Sequence, residues 1–145
     1  MAGARAACLI AAAVMIGPSL QVRHAWSAGV QDFDGAWAVT VACAKAPDGA
    51  LGYTWRFPAD VHNGALLGYY NRPGAVPSAT LSGQINSSGD AVLTMRGRTG
   101  AINYNVGNAN PGTPFHYTAN AHFERAHGTG KRNEVRDCQL NFVKQ

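Results

Sequence analysis

From Phe33 onward the chain alternates apolar and polar residues, with turn residues recurring about every 8 to 12 positions, the pattern of an all-β domain. No stretch keeps apolar residues at three-and-four spacing, and 17 Gly with 7 Pro would interrupt a helix repeatedly. The first predicted strand, "AWAVTVACA", places Trp37, Val39, Val41 and Cys43 on one face. "YTWRF" follows with Tyr53, Trp55 and Phe57 inward and Thr54 and Arg56 outward, and Pro58 ends regular pairing or marks an edge. Asn63-Gly64, between "DVH" and "ALLGYY", is the strongest hairpin signal, because both residues tolerate the positive φ of a type I′ turn. After the loop "NRPGAVPS", the strands "ATLSGQI" and "AVLTMRG" form a second hairpin around "NSSGD". "INYNV" reads as a shorter strand aligning Ile102, Tyr104 and Val106. In "FHYTANAHFE", Phe115, Tyr117, Ala119, Ala121 and Phe123 alternate with His116, Thr118, Asn120, His122 and Glu124. "RAHGTGKRN" reads as a link to the last strand, "EVRDCQLNF", where Cys138, Leu140 and Phe142 share a face.

Two cysteines on the inner faces of the first and last strands raise the question of closure. If those strands pair antiparallel with Cys43 opposite Cys138, then Val41 faces Leu140 and Val39 faces Phe142, so the register that permits a bridge also matches apolar with apolar. A series of about eight strands whose ends pair is a closed up-and-down barrel, which leaves no free sheet edge. The alternative is a two-sheet β-sandwich with the terminal strands adjacent in one sheet. Closing a loop of nearly a hundred residues is worth about 4 to 5 kcal/mol in the chain-entropy model.

The N-terminus changes the compartment. "MAGARAACLIAAAVMIGPSLQVRHAWSAG" has one positive charge at Arg5, an uncharged apolar run over residues 6–16 and a break at Gly17-Pro18. That is the layout of a secretory signal peptide, too short to cross ~30 Å of hydrocarbon. The small residues around Ala25, Ser27 and Ala28 place the cut after Ser27 or Ala28, giving a signal segment 1–27 and a single domain 28–145 in a periplasmic or secreted protein. Cys8 leaves with the signal and is no lipoprotein anchor, since the hydrophobic run follows it. The remaining even count, Cys43 and Cys138, reads as a disulfide in an oxidising compartment. Losing Arg5 and Arg23 takes the formal net charge from +4 to +2, so a nucleic-acid partner is not implied. No second apolar run approaches the ~20 residues of a membrane span.

The stretches "FDGAW" (33–37), "RTG" (98–100), "GTPFHY" (112–117), "AHFERAHGTGKR" (121–132) and "RDCQLNFVKQ" (136–145) carry a resemblance to a group of small exported alphaproteobacterial β-domain proteins. That resemblance implies the compartment and the domain limits and brings no activity with it. More loosely, "DGAW" ahead of β-hairpins is similar to the opening of lipocalin, avidin and bacterial inhibitor barrels, a Gly-x-Trp start that many barrels share.

The chemistry is sparse. "HGTGKR" from His127 fails as a phosphate loop, because Arg125 stands where the first glycine belongs and Arg132 where a Ser or Thr should follow Lys131. It reads as a flexible hairpin loop, or else as an anion-binding rim built from Lys131 and Arg132. His122 and Glu124 share a strand face, yet His116 lies about 20 Å from His122 along an extended strand, so no metal site or cofactor is expected. Ser78, Ser82, Ser87 and Ser88 have no motif coupling them to a histidine, and no catalytic residue is assigned. Large inward rings beside small residues permit either a filled core or a ligand space lined by Trp55, Tyr104 and Tyr117. Tyr69, Tyr70, Arg72, Arg96 and Arg98 would add an aromatic and arginine rim of the kind found at binding surfaces. The expected function is a non-catalytic binding module for a small hydrophobic ligand, or a periplasmic protein-binding inhibitor or adaptor acting through its loops. A metal-dependent enzyme using His122 and Glu124 is the alternative to both.

Overall fold

Inward apolar residues at every second position need a common interior, and a sheet rolled on itself supplies one. The computed structural model describes Gly3 and residues 29–145, so the predicted signal segment, Gly3 aside, lies outside the described residues. Eight strands follow in order: β1 (Gly35–Cys43), β2 (Tyr53–His62), β3 (Ala65–Tyr70), β4 (Ser78–Ile85), β5 (Asp90–Arg98), β6 (Pro114–Phe123), β7 (His127–Arg132) and β8 (Cys138–Lys144). Each pairs antiparallel with the next, and β8 returns to β1 to close the barrel. The closing register sets Cys43 opposite Cys138, Val41 opposite Leu140 and Val39 opposite Phe142, and the two cysteines form a disulfide. The barrel and its staple are thus those that the matching of apolar faces requires.

Asn63 and Gly64 turn β2 into β3 with φ of +49° and +76°, the left-handed pair of a type I′ turn. Their N–H groups donate to the Asp34 carboxylate at 2.9 and 3.1 Å, which ties the turn to the segment ahead of β1. β2 runs unbroken through Pro58, which stays opposite Ala38 of β1, while the ladder to β3 begins only at Ala59.

Three segments depart from the sequence reading. "INYNV" is not a strand: Ile102–Tyr104 and Val106–Asn108 are two 3₁₀ turns within the loop 99–113. β5 and β6 already pair with each other from Asp90–His122 to Arg98–Pro114, so the segment that joins them is not inserted between them. Asn105 instead closes the loop on itself, its side-chain amide donating to the carbonyls of Gly100 and Ala109 at 2.9 and 2.7 Å. Conversely, "HGTGKR" is strand β7 between β6 and β8, not a flexible link. Its glycines serve close approach, since a Cβ on Gly128 would meet the Phe123 ring at 2.7 Å. Finally, β8 starts at Cys138, and residues 133–137 form a loop that the alternation had assigned to the strand.

Val39, Val41, Leu66, Leu81, Leu93, Met95 and Leu140 fill the middle of the barrel, each at most 2% exposed. One end is plugged. The single 3₁₀ turn Val30–Phe33 folds across it, and Trp37 donates its indole N–H to the Phe33 carbonyl at 2.8 Å. Phe123 meets Trp37 edge-on, centroids 5.5 Å apart at 90°, and packs on Phe142 at 4.7 Å. Lys144 reaches over to donate to the Asp32 carbonyl at 2.9 Å. The outer wall carries exposed Arg56, Asp60, Arg96, His116 and Asn120, so its polarity is apolar-in and polar-out, the reverse of a lipid-embedded barrel. Among the described residues no helix is long and apolar enough to cross a membrane.

Candidate functional site

The loops 44–52, 71–77, 99–113 and 133–137 all leave the barrel at the end opposite the plug. Between them opens a cup of about 720 Å³. Its wall continues the inward positions of the strands above the packed middle: Tyr53 and Trp55 from β2, Tyr70 from β3, Phe115 and Tyr117 from β6, and Arg132 from β7. Loop residues Thr99, Gly100, Tyr104, Asn105 and Arg136 complete it.

Here the backbone wall thins, and side chains take its place. Residues 53–58 of β2 have β1 partners but no β3 partners, and residues 114–118 of β6 have β5 partners but no β7 partners. Across the first gap Tyr70 stacks on Trp55, centroids 4.5 Å apart and planes 11° off parallel. Tyr53 lies tilted 4.6 Å from Trp55, and Phe115 stacks on Tyr117 at 6.2 Å and 16°. Tyr53, Trp55, Tyr70 and Phe115 are only partly buried, so flat aromatic faces line the opening.

Two guanidinium groups stand against these rings. Arg132 lies over Tyr117 at 4.1 Å from the ring centre and Arg136 over Tyr53 at 5.3 Å. Arg136 is 3% exposed and acts as a rivet between loops: its η nitrogens donate to the carbonyls of Tyr104, Ala50 and Leu51 at 3.0, 2.9 and 2.9 Å. Asp48 fastens the same loops, accepting from the N–H groups of Gly107 at 2.6 Å and Ala50 at 3.1 Å. Those hydrogen bonds, Gly107's first, hold its carboxyl below the usual carboxylate range.

The polar accounting in the cup does not close. Among the described residues, the buried Tyr117 Oη, Arg132 Nε and Arg136 Nε have no hydrogen-bond partner and neither arginine forms an ion pair. A buried donor left unmade costs about 1–3 kcal/mol. Burial, then the neighbouring Tyr53, pushes the Tyr117 phenol well above its ordinary pKa, so its hydroxyl keeps the proton and remains a donor. Burial likewise raises Tyr53.

Of the residues singled out in the sequence, Trp55, Tyr117, Tyr70 and Tyr104 line the cup. Tyr70 turns inward from the end of β3 instead of joining an outer rim. Tyr104 reaches the cup from a loop turn, 39% exposed, and not from the inner face of a strand. Tyr69 is 45% exposed on the outer wall, and Arg72 and Arg96 are exposed and outside the lining. Arg98 also points away and braces the long loop, donating to the Gly112 carbonyl at 3.0 Å. Lys131 faces outward beside Asp137 at 3.6 Å, while its neighbour Arg132 faces the cup. The residue that sequence reading missed is Arg136, whose only local signal was its place two positions before the bridged Cys138. His122 pairs with Asp90 at 2.7 Å on the exposed wall, and among the described residues no three His, Cys, Asp or Glu side chains gather to hold a metal.

Compared with family models, curated proteins and solved structures, the chain finds no match.

Proposed function

We propose that the protein is an exported, non-catalytic binding module that takes a small, largely apolar ligand into the cup at the barrel mouth. The observation that carries this reading is the stacked aromatic wall, Tyr53, Trp55, Tyr70 and Phe115, left partly exposed around about 720 Å³ of space. Ligand sites of roughly 300–1,000 Å³ with mostly apolar walls and a few polar groups are the common pattern. Aromatic faces that a barrel could have buried are instead held open, and a guest covering them recovers that burial. Export is supported by the signal-like N-terminus and by the Cys43–Cys138 bridge, which belongs to an oxidising compartment such as the periplasm.

Titration with the neutral dye N-phenyl-1-naphthylamine tests the reading. Its emission should rise on binding to the mature protein, and Trp55→Ala should abolish the rise while leaving the far-ultraviolet β signal intact. A second reading, a protein-binding inhibitor or adaptor, draws on the exposed apolar rim of Val76, Ile102 and Val106, at 53%, 47% and 37%. No dye binding, together with capture of a periplasmic protein that is lost in Val76→Asp or Ile102→Asp, would move that reading ahead.

A further inference from the structure

We propose that the guest is a flat aromatic monoanion, an aryl carboxylate, whose ring packs against the aromatic wall of the cup and whose charge is met by Arg132 and the Tyr117 hydroxyl. This rests on the ligand-cup reading and adds the chemistry of the ligand.

Three observations converge on it. The first is the wall: the partly exposed rings of Tyr53, Trp55, Tyr70 and Phe115 can give a further aromatic ring the same contacts they already make with one another. The second is charge. Two guanidinium groups and no carboxylate line the cup. Asp48, fixed on the loops that Arg136 rivets, offsets Arg136 electrostatically, and three backbone carbonyls already occupy the η nitrogens of Arg136. Arg132 is left as the uncompensated cation, which sets the complementary ligand charge near minus one.

The third is the unmade hydrogen bonds. Tyr117 Oη and Arg132 Nε are donors without acceptors, and the residues that supply them are in direct contact. Arg132 sits at the end of β7, only partly buried, with its guanidinium over the Tyr117 ring. A rotation of Arg132 off that ring frees its planar fork for a carboxylate and uncovers the phenol beneath it, so one movement presents both donors. A neutral amide of the same shape would cover the same rings and offer the two donors only an uncharged acceptor.

The test compares ligands sharing one ring system, 2-naphthoate, 2-naphthamide and 2-naphthylmethylammonium, by calorimetric titration of the mature, disulfide-bonded protein. The expected order is naphthoate first, by about tenfold over naphthamide, with the ammonium weakest. Arg132→Gln should erase the naphthoate advantage over naphthamide, and Tyr117→Phe should weaken naphthoate several-fold. Raising salt should weaken naphthoate alone. Equal affinity for naphthoate and naphthamide, or equal losses for both in Arg132→Gln, would overturn the anion assignment while the ligand cup stands. Binding of none of the three would overturn the cup reading and this proposal with it. Circular dichroism of Arg132→Gln and Tyr117→Phe checks that the barrel is retained.

Discussion

The two ends of the barrel are built from the same residue class and do opposite things with it. At the plugged end Phe33, Trp37, Phe123 and Phe142 are at most 3% exposed and meet largely edge to face or tilted, as in the 90° contact of Trp37 with Phe123. Their one polar group, the Trp37 indole N–H, has its acceptor. At the mouth Tyr53, Trp55, Tyr70 and Phe115 lie partly exposed and the closest pair is stacked face to face, beside three buried polar atoms with no partner. The plug's rings interlock and fill their volume, whereas those at the mouth keep part of their surface open to the cup. Aromatic content alone therefore does not separate core from site; ring geometry and polar satisfaction do.

The sharpest way to break the comparison is to truncate one tryptophan at each end. Trp37→Ala should cost about 3–5 kcal/mol and lower the melting temperature by more than ten degrees or so, read by circular dichroism. Trp55→Ala should move the melting temperature far less and remove ligand binding instead. Equal destabilisation by the two would mean that the mouth is simply more core. Next in size is the seam. Cys43→Ala or Cys138→Ala opens a loop closed across 95 residues and should cost about 2–5 kcal/mol, lowering thermal stability while β content persists. At Gly128, where a Cβ would meet Phe123 at 2.7 Å, Gly128→Ala should overpack the plugged end by about 1–3 kcal/mol, measured by urea unfolding.

The smallest effects come from a matched pair of carboxylates, Asp34 near the plug and Asp48 at the mouth, each held below the ordinary value of 3.8 by backbone N–H groups, Gly64 first for one and Gly107 first for the other. A carboxyl lowered in the native state stabilises it above the unfolded pKa, and that contribution is lost as pH falls through 3.8 towards the native value. Stability measured from pH 6 to 3 should decline less steeply in Asp34→Asn and in Asp48→Asn. Of the two, only Asp48→Asn should also weaken binding of the neutral naphthamide, since Asp34 does not touch the cup loops.

Much of the fold was legible because alternation and turn chemistry act locally. The inner faces of β1 and β8, the pairing of Val41 with Leu140 and the Asn63-Gly64 turn all follow from neighbours in sequence. What escaped depends on partners that sequence does not name. "INYNV" alternates as well as any strand, yet the strands on either side of it pair directly with each other, and the glycines of β7 look flexible until the Phe123 ring beside them is known. The site was half legible for the same reason: inward rings such as Trp55 and Tyr117 follow from strand parity. Arg136 does not, because its role is set by carbonyls 32, 85 and 86 residues away.

The one-sided pairing of β2 has a consequence in time rather than in shape. Residues 59–61 are held by ladders on both flanks, whereas residues 53–58 are held on one. Amide protons of the lower half should exchange only with global unfolding, while those facing the missing ladder exchange through small local openings at far lower free energy. A single continuous strand thus passes from a slow regime to a fast one at Pro58, within one residue of the level at which packed interior gives way to cup. The middle of the barrel can remain rigid while its rim samples widths, and a guest could trade places with water without the staple or the plug having to move.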